Sequence, residues 1–189
     1  MNVKNIFKAV LPYLIAIGIF VAISFVYFSP VMNGKVLHQM DDTHAKGMAK
    51  ELMDYQEETG KHALWTNSMF GGMPAYQIKP APSRNIYNYL NSILRLGLPY
   101  HTVAILFINL LGFYVLLRVL KVNNWLSIVG AIAYGFASYN FIIIGAGHIT
   151  KAYAIGLMPA VIGGVLLTYR KKYWLGGLLT AIALGVQIA

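Results

Sequence analysis

Two adjacent carboxylates, Asp41 and Asp42, are the residues whose type and spacing most directly offer chemistry. They open the window Val36 to Glu58, which holds all six acidic residues of the chain: Asp41, Asp42, Glu51, Asp54, Glu57 and Glu58. Two neighbouring carboxylates in a partly desolvated site resist ionising together, so one is available as a general base. The bland alternative is that Asp42 or Thr43 caps a following helix while Asp41 is solvated. His38 and His44 flank the pair. Imidazole and carboxylate together suit a divalent ion, so a divalent metal is compatible with the residue types. His38 three residues before Asp41 and His44 two after Asp42 is, however, no recognised ligand spacing.

Cationic groups occur in a second place, GAGHITK, where His148 and Lys151 lie three residues apart. A lysine is a good point-charge partner for phosphate, and it is equally at home snorkelling from the end of a membrane span. A third place is the loop LWTNSMFGGMPAYQ, whose Trp65, Met69, Phe70, Met73 and Tyr76 are interleaved with glycines. Such aromatics stack on sugar rings or hold an isoprenoid tail; they also dip into lipid or pack beneath loops. Arg84 and Lys79 are further phosphate candidates, or solvated cations.

The elements that must position these groups are apolar. The chain is 58% hydrophobic and 11% charged, with mean hydropathy +0.59. A soluble domain carries about a quarter charged residues, so the composition places the chain in the membrane class. Its net charge of +9 does not argue for nucleic acid, because most of the cations flank apolar runs as membrane anchors do. Without cysteine, disulfides and thiolate metal sites are excluded and the redox compartment is not legible.

Five apolar runs predict spans at about 9–29, 101–118, 125–145, 152–169 and 173–189. The first resembles a signal peptide, but at 21 residues without a charge it exceeds a signal core and has the length to cross the bilayer. The last stops without a flanking charge, which reads as a fragment of a longer protein. Lys4, Lys8, Arg118, Lys121, Arg170, Lys171 and Lys172 fall on one side if every run spans, against Lys151 in the short loop on the other. The positive-inside rule then makes the N-terminus cytoplasmic and the large loop 30–99 extracytoplasmic. Within that loop, periodicity predicts amphipathic helices at Ala45 to Glu58 and Asn85 to Arg95, suited to the membrane interface. Gly60 is the expected stop of the first, Lys50 and Asp54 an i,i+4 pair, and Ser83 a candidate cap of the second.

The first span with SPVMNGKVLHQMDDTHAKGMAKE, then LWTNSMFGGMPAYQI, GLPYHTVAILFINLLGFYVLLRVL and SYNFIIIGAGHITKAYAIGLMP, resembles the N-terminal part of the YfhO family of bacterial membrane proteins. The resemblance covers essentially the whole chain. That family is similar to the GT-C superfamily of polytopic glycosyltransferases, which use polyprenyl-phosphate sugar donors. It implies an all-α polytopic transmembrane bundle in the bacterial inner membrane, a GT-C-like module with a large extracytoplasmic first loop. It implies Asp41 as general base, with Asp42 a second carboxylate relatives need not share. His148 and Lys151, in the GHxTK segment, would stabilise a departing lipid phosphate; Arg84 and Trp65 stay substrate-contact candidates by residue type alone. The implied partners are membrane lipid and a polyprenyl-phosphate-linked sugar. The later acidic motif of some GT-C enzymes is absent here. A non-catalytic envelope-assembly scaffold and a lipid-linked-glycan flippase are the competing expectations; a flippase predicts charges buried inside spans.

Overall fold

In a computed structural model of the chain, residues 3–79 and 86–188 are described. The fold is mainly helical, in chain order α1 (Val3–Tyr27), α2 (Ser29–Met32), α3 (Met40–Met48), α4 (Lys50–Thr59), β1 (Trp65–Thr66), β2 (Met73–Pro74), a 3-10 turn (Ala75–Gln77), α5 (Ile86–Leu94), α6 (Val103–Val119), α7 (Asn124–Gly135), α8 (Ser138–Ala146), α9 (Ile149–Tyr169) and α10 (Tyr173–Ile188).

Helix α6 is the core. Val103 to Ile108 and Leu110 are all at most 2% exposed, so the helix has no polar face and must be surrounded. It packs against α1, α7 and α9, with Phe20 of α1 edge-on to Tyr114 at 5.5 Å. Small residues set the spacing. A Cβ on Gly112 of α6 would overlap the carbonyl oxygen of Gly156 on α9. Between α9 and α10 the contact is reciprocal: Gly164 faces Thr180, and Gly176 faces Thr168. Each threonine hydroxyl donates back within its own helix, Thr168 to Gly164 O at 3.1 Å and Thr180 to Gly176 O at 2.9 Å. Backbones approach this closely only where a side chain is missing.

Among the described residues two helical stretches, Phe7–Tyr27 and Ile149–Tyr169, are long and apolar enough to cross a membrane. The expected spans near 101–118 and 173–189 are the apolar helices α6 and α10; with 17 and 16 residues they fall short of the roughly 20 that a perpendicular crossing takes. The expected span 125–145 is not one continuous helix. It is two helices, α7 and α8, bent by 47°. The chain leaves helical geometry at Phe136 and Ala137, and Asn140 repairs the break: its Nδ2 donates to Tyr134 O at 2.9 Å and Gly135 O at 3.3 Å. Without such a donor, carbonyls freed at apolar depth would go unsatisfied.

The first amphipathic helix is corrected as well. It begins at Met40 rather than Ala45 and is interrupted at Ala49 (φ −83°, ψ −1°), giving α3 and α4. Neither Asp42 nor Thr43 caps it; the N-cap is Gln39, which makes no side-chain cap bond. Asp41 and Asp42 instead occupy the first turn, where the helix dipole favours negative charge. Gly60 ends α4 in the left-handed conformation at φ 70°, and the Lys50–Asp54 pair forms at 2.9 Å. The second amphipathic helix is α5; Ser83 and Asn85 lie outside the described residues.

Gly112→Ala is expected to destabilise the protein by about 1–3 kcal/mol through overpacking, whereas Gly18→Ala, with open space around its Cβ, leaves stability unchanged or raised. Thermal unfolding of the two variants in the same detergent separates them.

Candidate functional site

The site is assembled where the start of α3 meets the turn between α8 and α9. Gln39 is 4% exposed, and its Nε2 donates to Ile144 O at 2.6 Å. This bond satisfies a carbonyl of the last turn of α8 and pins the chain just before Asp41. The α8 end is closed by Gly147 at φ 98°, a conformation in which an L side chain is strained. A Cβ there would also lie 3.1 Å from Gln39 Cβ, 3.2 Å from Asp41 Cβ and 3.3 Å from the Asp42 nitrogen. Glycine therefore serves twice, turning the chain and letting α3 close on it.

This closure brings Asp41 Oδ2 to 2.7 Å from Nδ1 of His148, both side chains about half exposed. A carboxylate accepts, so Nδ1–H donates, which leaves the Nε2 lone pair open in the neutral ring. Beside the pair is a cavity of about 560 Å³ lined by Asp41, Thr43, His44, Gly47 and Met48. Asp41 is thus shared between the pair and the cavity wall, and a carboxylate–imidazole pair of this kind can accept or deliver a proton.

The other candidates separate. Asp42 turns away and pairs with Lys46 at 2.6 Å. Lys151 follows His148 by three residues in the first turn of α9, and its ammonium lies 5.4 Å from the centre of the Tyr139 ring rather than against a carboxylate. Trp65, 54% exposed, lies on a short hairpin, paired antiparallel with Pro74; its indole lies against Gly72 and makes no described contact with Asp41 or His148. His44 lines the cavity, and Arg84 lies outside the described residues. Sequence reasoning missed Gln39 and Gly147, and His101, whose Nδ1 is 3.4 Å from Gln39 Oε1. The glycine in GAGH just before the histidine was the one available signal.

Glu51 holds the Trp65 hairpin to α4. Its carboxylate accepts from the Thr66 hydroxyl, from the Asn67 amide at 3.2 Å and from the Ser68 amide at 3.0 Å. These donors, led by the Thr66 hydroxyl, favour the ionised form and hold Glu51 below its ordinary value of 4.5. Lys79 adds a second tie, Nζ to Gln56 Oε1 at 2.9 Å.

Among the described residues no group of three or more His, Cys, Asp or Glu is arranged to hold a metal ion. Compared with models of known families, with curated proteins and with solved structures, the chain matches none.

Two outcomes follow from this geometry. A depressed carboxyl contributes stability that is present above its unfolded value and is lost as pH falls through the folded one. Hydrogen exchange at the Asn67 and Ser68 amides, referred to intrinsic rates, should therefore stay slow above pH 4.5 and quicken below it, with no such step in Glu51→Gln. In the cysteine-free chain, Asp41→Cys with His148→Cys should join efficiently through a short thiol crosslinker. Adding Gly147→Ala should cut the yield severalfold, as read by the gel shift of an internally linked chain.

Proposed function

We propose that this chain is the membrane module of a GT-C-like glycosyltransferase similar to the YfhO family. It would move a sugar from a polyprenyl-phosphate donor to a cell-envelope acceptor on the outer face of the bacterial inner membrane. The observation that carries the reading is the 2.7 Å contact between Asp41 and His148, which joins the first long loop to the GHxTK segment. In this topology the five apolar helical segments cross the bilayer, α7 and α8 together as one bent crossing. The N-terminus is cytoplasmic, and the loop 30–99 faces outward. The seven cations grouped at one set of span ends, against Lys151 at the other, support that orientation.

In the reaction, an acceptor hydroxyl attacks the anomeric carbon of the lipid-linked sugar. The new glycosidic C–O bond forms as the bond from the anomeric carbon to the phosphate oxygen breaks. The hydroxyl proton passes to the Asp41–His148 pair, and polyprenyl phosphate departs with the bonding electrons. The negative charge that grows on the leaving oxygen needs a cation; Lys151, in the turn of α9 that follows His148 and with no carboxylate partner, supplies it.

A scaffold in envelope assembly is the second reading. It is favoured by the fact that the same Asp41–His148 contact ties α3 to the α8–α9 turn and so has structural work to do. A flippase has less support: all six carboxylates lie in 41–58, outside the helices long enough to cross.

Asp41→Asn keeps the shape and removes the base. In membranes containing the intact protein it should lower sugar incorporation from polyprenyl-phosphate donors by about 10²–10⁴-fold at unchanged expression. Unaltered transfer would take Asp41 out of the chemistry. Lipid translocation without a new glycosidic bond would favour the flippase.

A further inference from the structure

The far end of the bundle holds a second site that the reaction above does not use. Helix α9 carries the chain from His148 to Tyr169, 21 residues and about 30 Å away at 1.5 Å per residue. There a cavity of about 790 Å³ opens between α1, α6, α9 and α10, and four cations line it, Arg118, Lys121, Arg170 and Lys172, with Tyr13 and Tyr114. No carboxylate lies near, because every acidic residue of the chain belongs to 41–58.

The cations differ in how far they are already engaged. Arg170 donates to Val119 O at 2.5 Å. Arg118 donates to Val122 O and, at 3.4 Å, to the Tyr13 hydroxyl; its Nε is buried without a hydrogen-bond partner. These bonds fix the two guanidinium groups in place beside the cavity. Lys121 and Lys172 have no ion-pair partner among the described residues. Lys121 sits at φ 65°, in the left-handed region where glycine would be free of strain. Favourable helix-end charge explains Arg118, Lys121 and Arg170 one by one, but not Lys172, which immediately precedes the N-terminus of α10, nor the convergence of all four on one hollow.

The cavity also has an apolar wall of its own, formed by Val115, Val119, Leu167, Leu175 and Leu179. Four cations beside such a wall match an amphipathic anion. We infer that this cavity binds the headgroup phosphate of an anionic phospholipid, with the start of an acyl chain lying along the apolar wall. Basic pockets between membrane helices recognise such headgroups. A free phosphate would be drawn by the same cations but gains nothing from the apolar wall.

The test uses the purified intact protein and reads thermal unfolding, not sugar transfer, so it stands or falls separately from the catalytic reading. Short-chain phosphatidylglycerol, short-chain phosphatidylcholine and inorganic phosphate are titrated in turn. The expected result is a saturable rise in the midpoint with phosphatidylglycerol alone. In Lys121→Gln with Lys172→Gln, about thirtyfold more of that lipid should be needed, from roughly fivefold for each lysine compounded. The paired Lys→Arg variant should behave as wild type. An equal rise with phosphatidylcholine, an equal rise with inorganic phosphate, or an unchanged requirement in the double Gln variant would each overturn the inference.

Discussion

Everything in this molecule is hung on a helix that water cannot reach. The first two turns of α6 are almost completely enclosed, and an apolar helix of that kind is stable only while neighbours cover it on every side. The cover comes from α1, α7 and α9. Of these, α9 lies closest, because Gly112 and Gly156 bring the two backbones together. That approach fixes where α9 begins, and hence where the α8–α9 turn stands. The site residue His148 is the last residue before α9, so its position is a consequence of core packing rather than of local loop chemistry.

The polar end of the molecule is built onto this frame by a few long-range bonds. Gln39 reaches a carbonyl of α8 and is itself buried; a buried amide without such a partner would cost about 1–3 kcal/mol. Asp41 then meets His148 two residues later. Glu51 and Lys79 hold the Trp65 hairpin against α4. Carboxylates are thus confined to the segment 41–58, while Arg118, Lys121, Arg170 and Lys172 gather around a cavity that no carboxylate lines.

What was legible in the sequence was mostly local. Runs of apolar residues mark the helices because burial acts on each side chain separately. Gly60 and the Lys50–Asp54 pair were readable because their partners lie within one helical turn. The bend at Phe136 was not, since hydropathy is the same on both sides of it and the decisive residue, Asn140, acts through two carbonyls rather than through its own polarity. The start of α3 was misread for a related reason. Gln39 looks like neither a cap nor a breaker, and its role depends on Ile144, far along the chain. Asp41 and His148 were each singled out by type, while their contact required the fold. Asp42, equal to Asp41 by type, differs only because Lys46 lies one turn away on the same helix face.

The reciprocal contact between α9 and α10 has a consequence of its own. Gly164 and Thr168 on one helix meet Gly176 and Thr180 on the other, and neither hydroxyl reaches across the gap. At this crossing the join depends on shape, with no charge for the surroundings to screen; a hydrogen bond from Gln187 Nε2 to Ala154 O at 3.2 Å ties the same two helices elsewhere along the pair. Transfer from a bilayer to detergent or to a more polar medium removes little from such a fit. The α9–α10 couple is therefore a hairpin held largely by its own fit, with α9 also packed on α6.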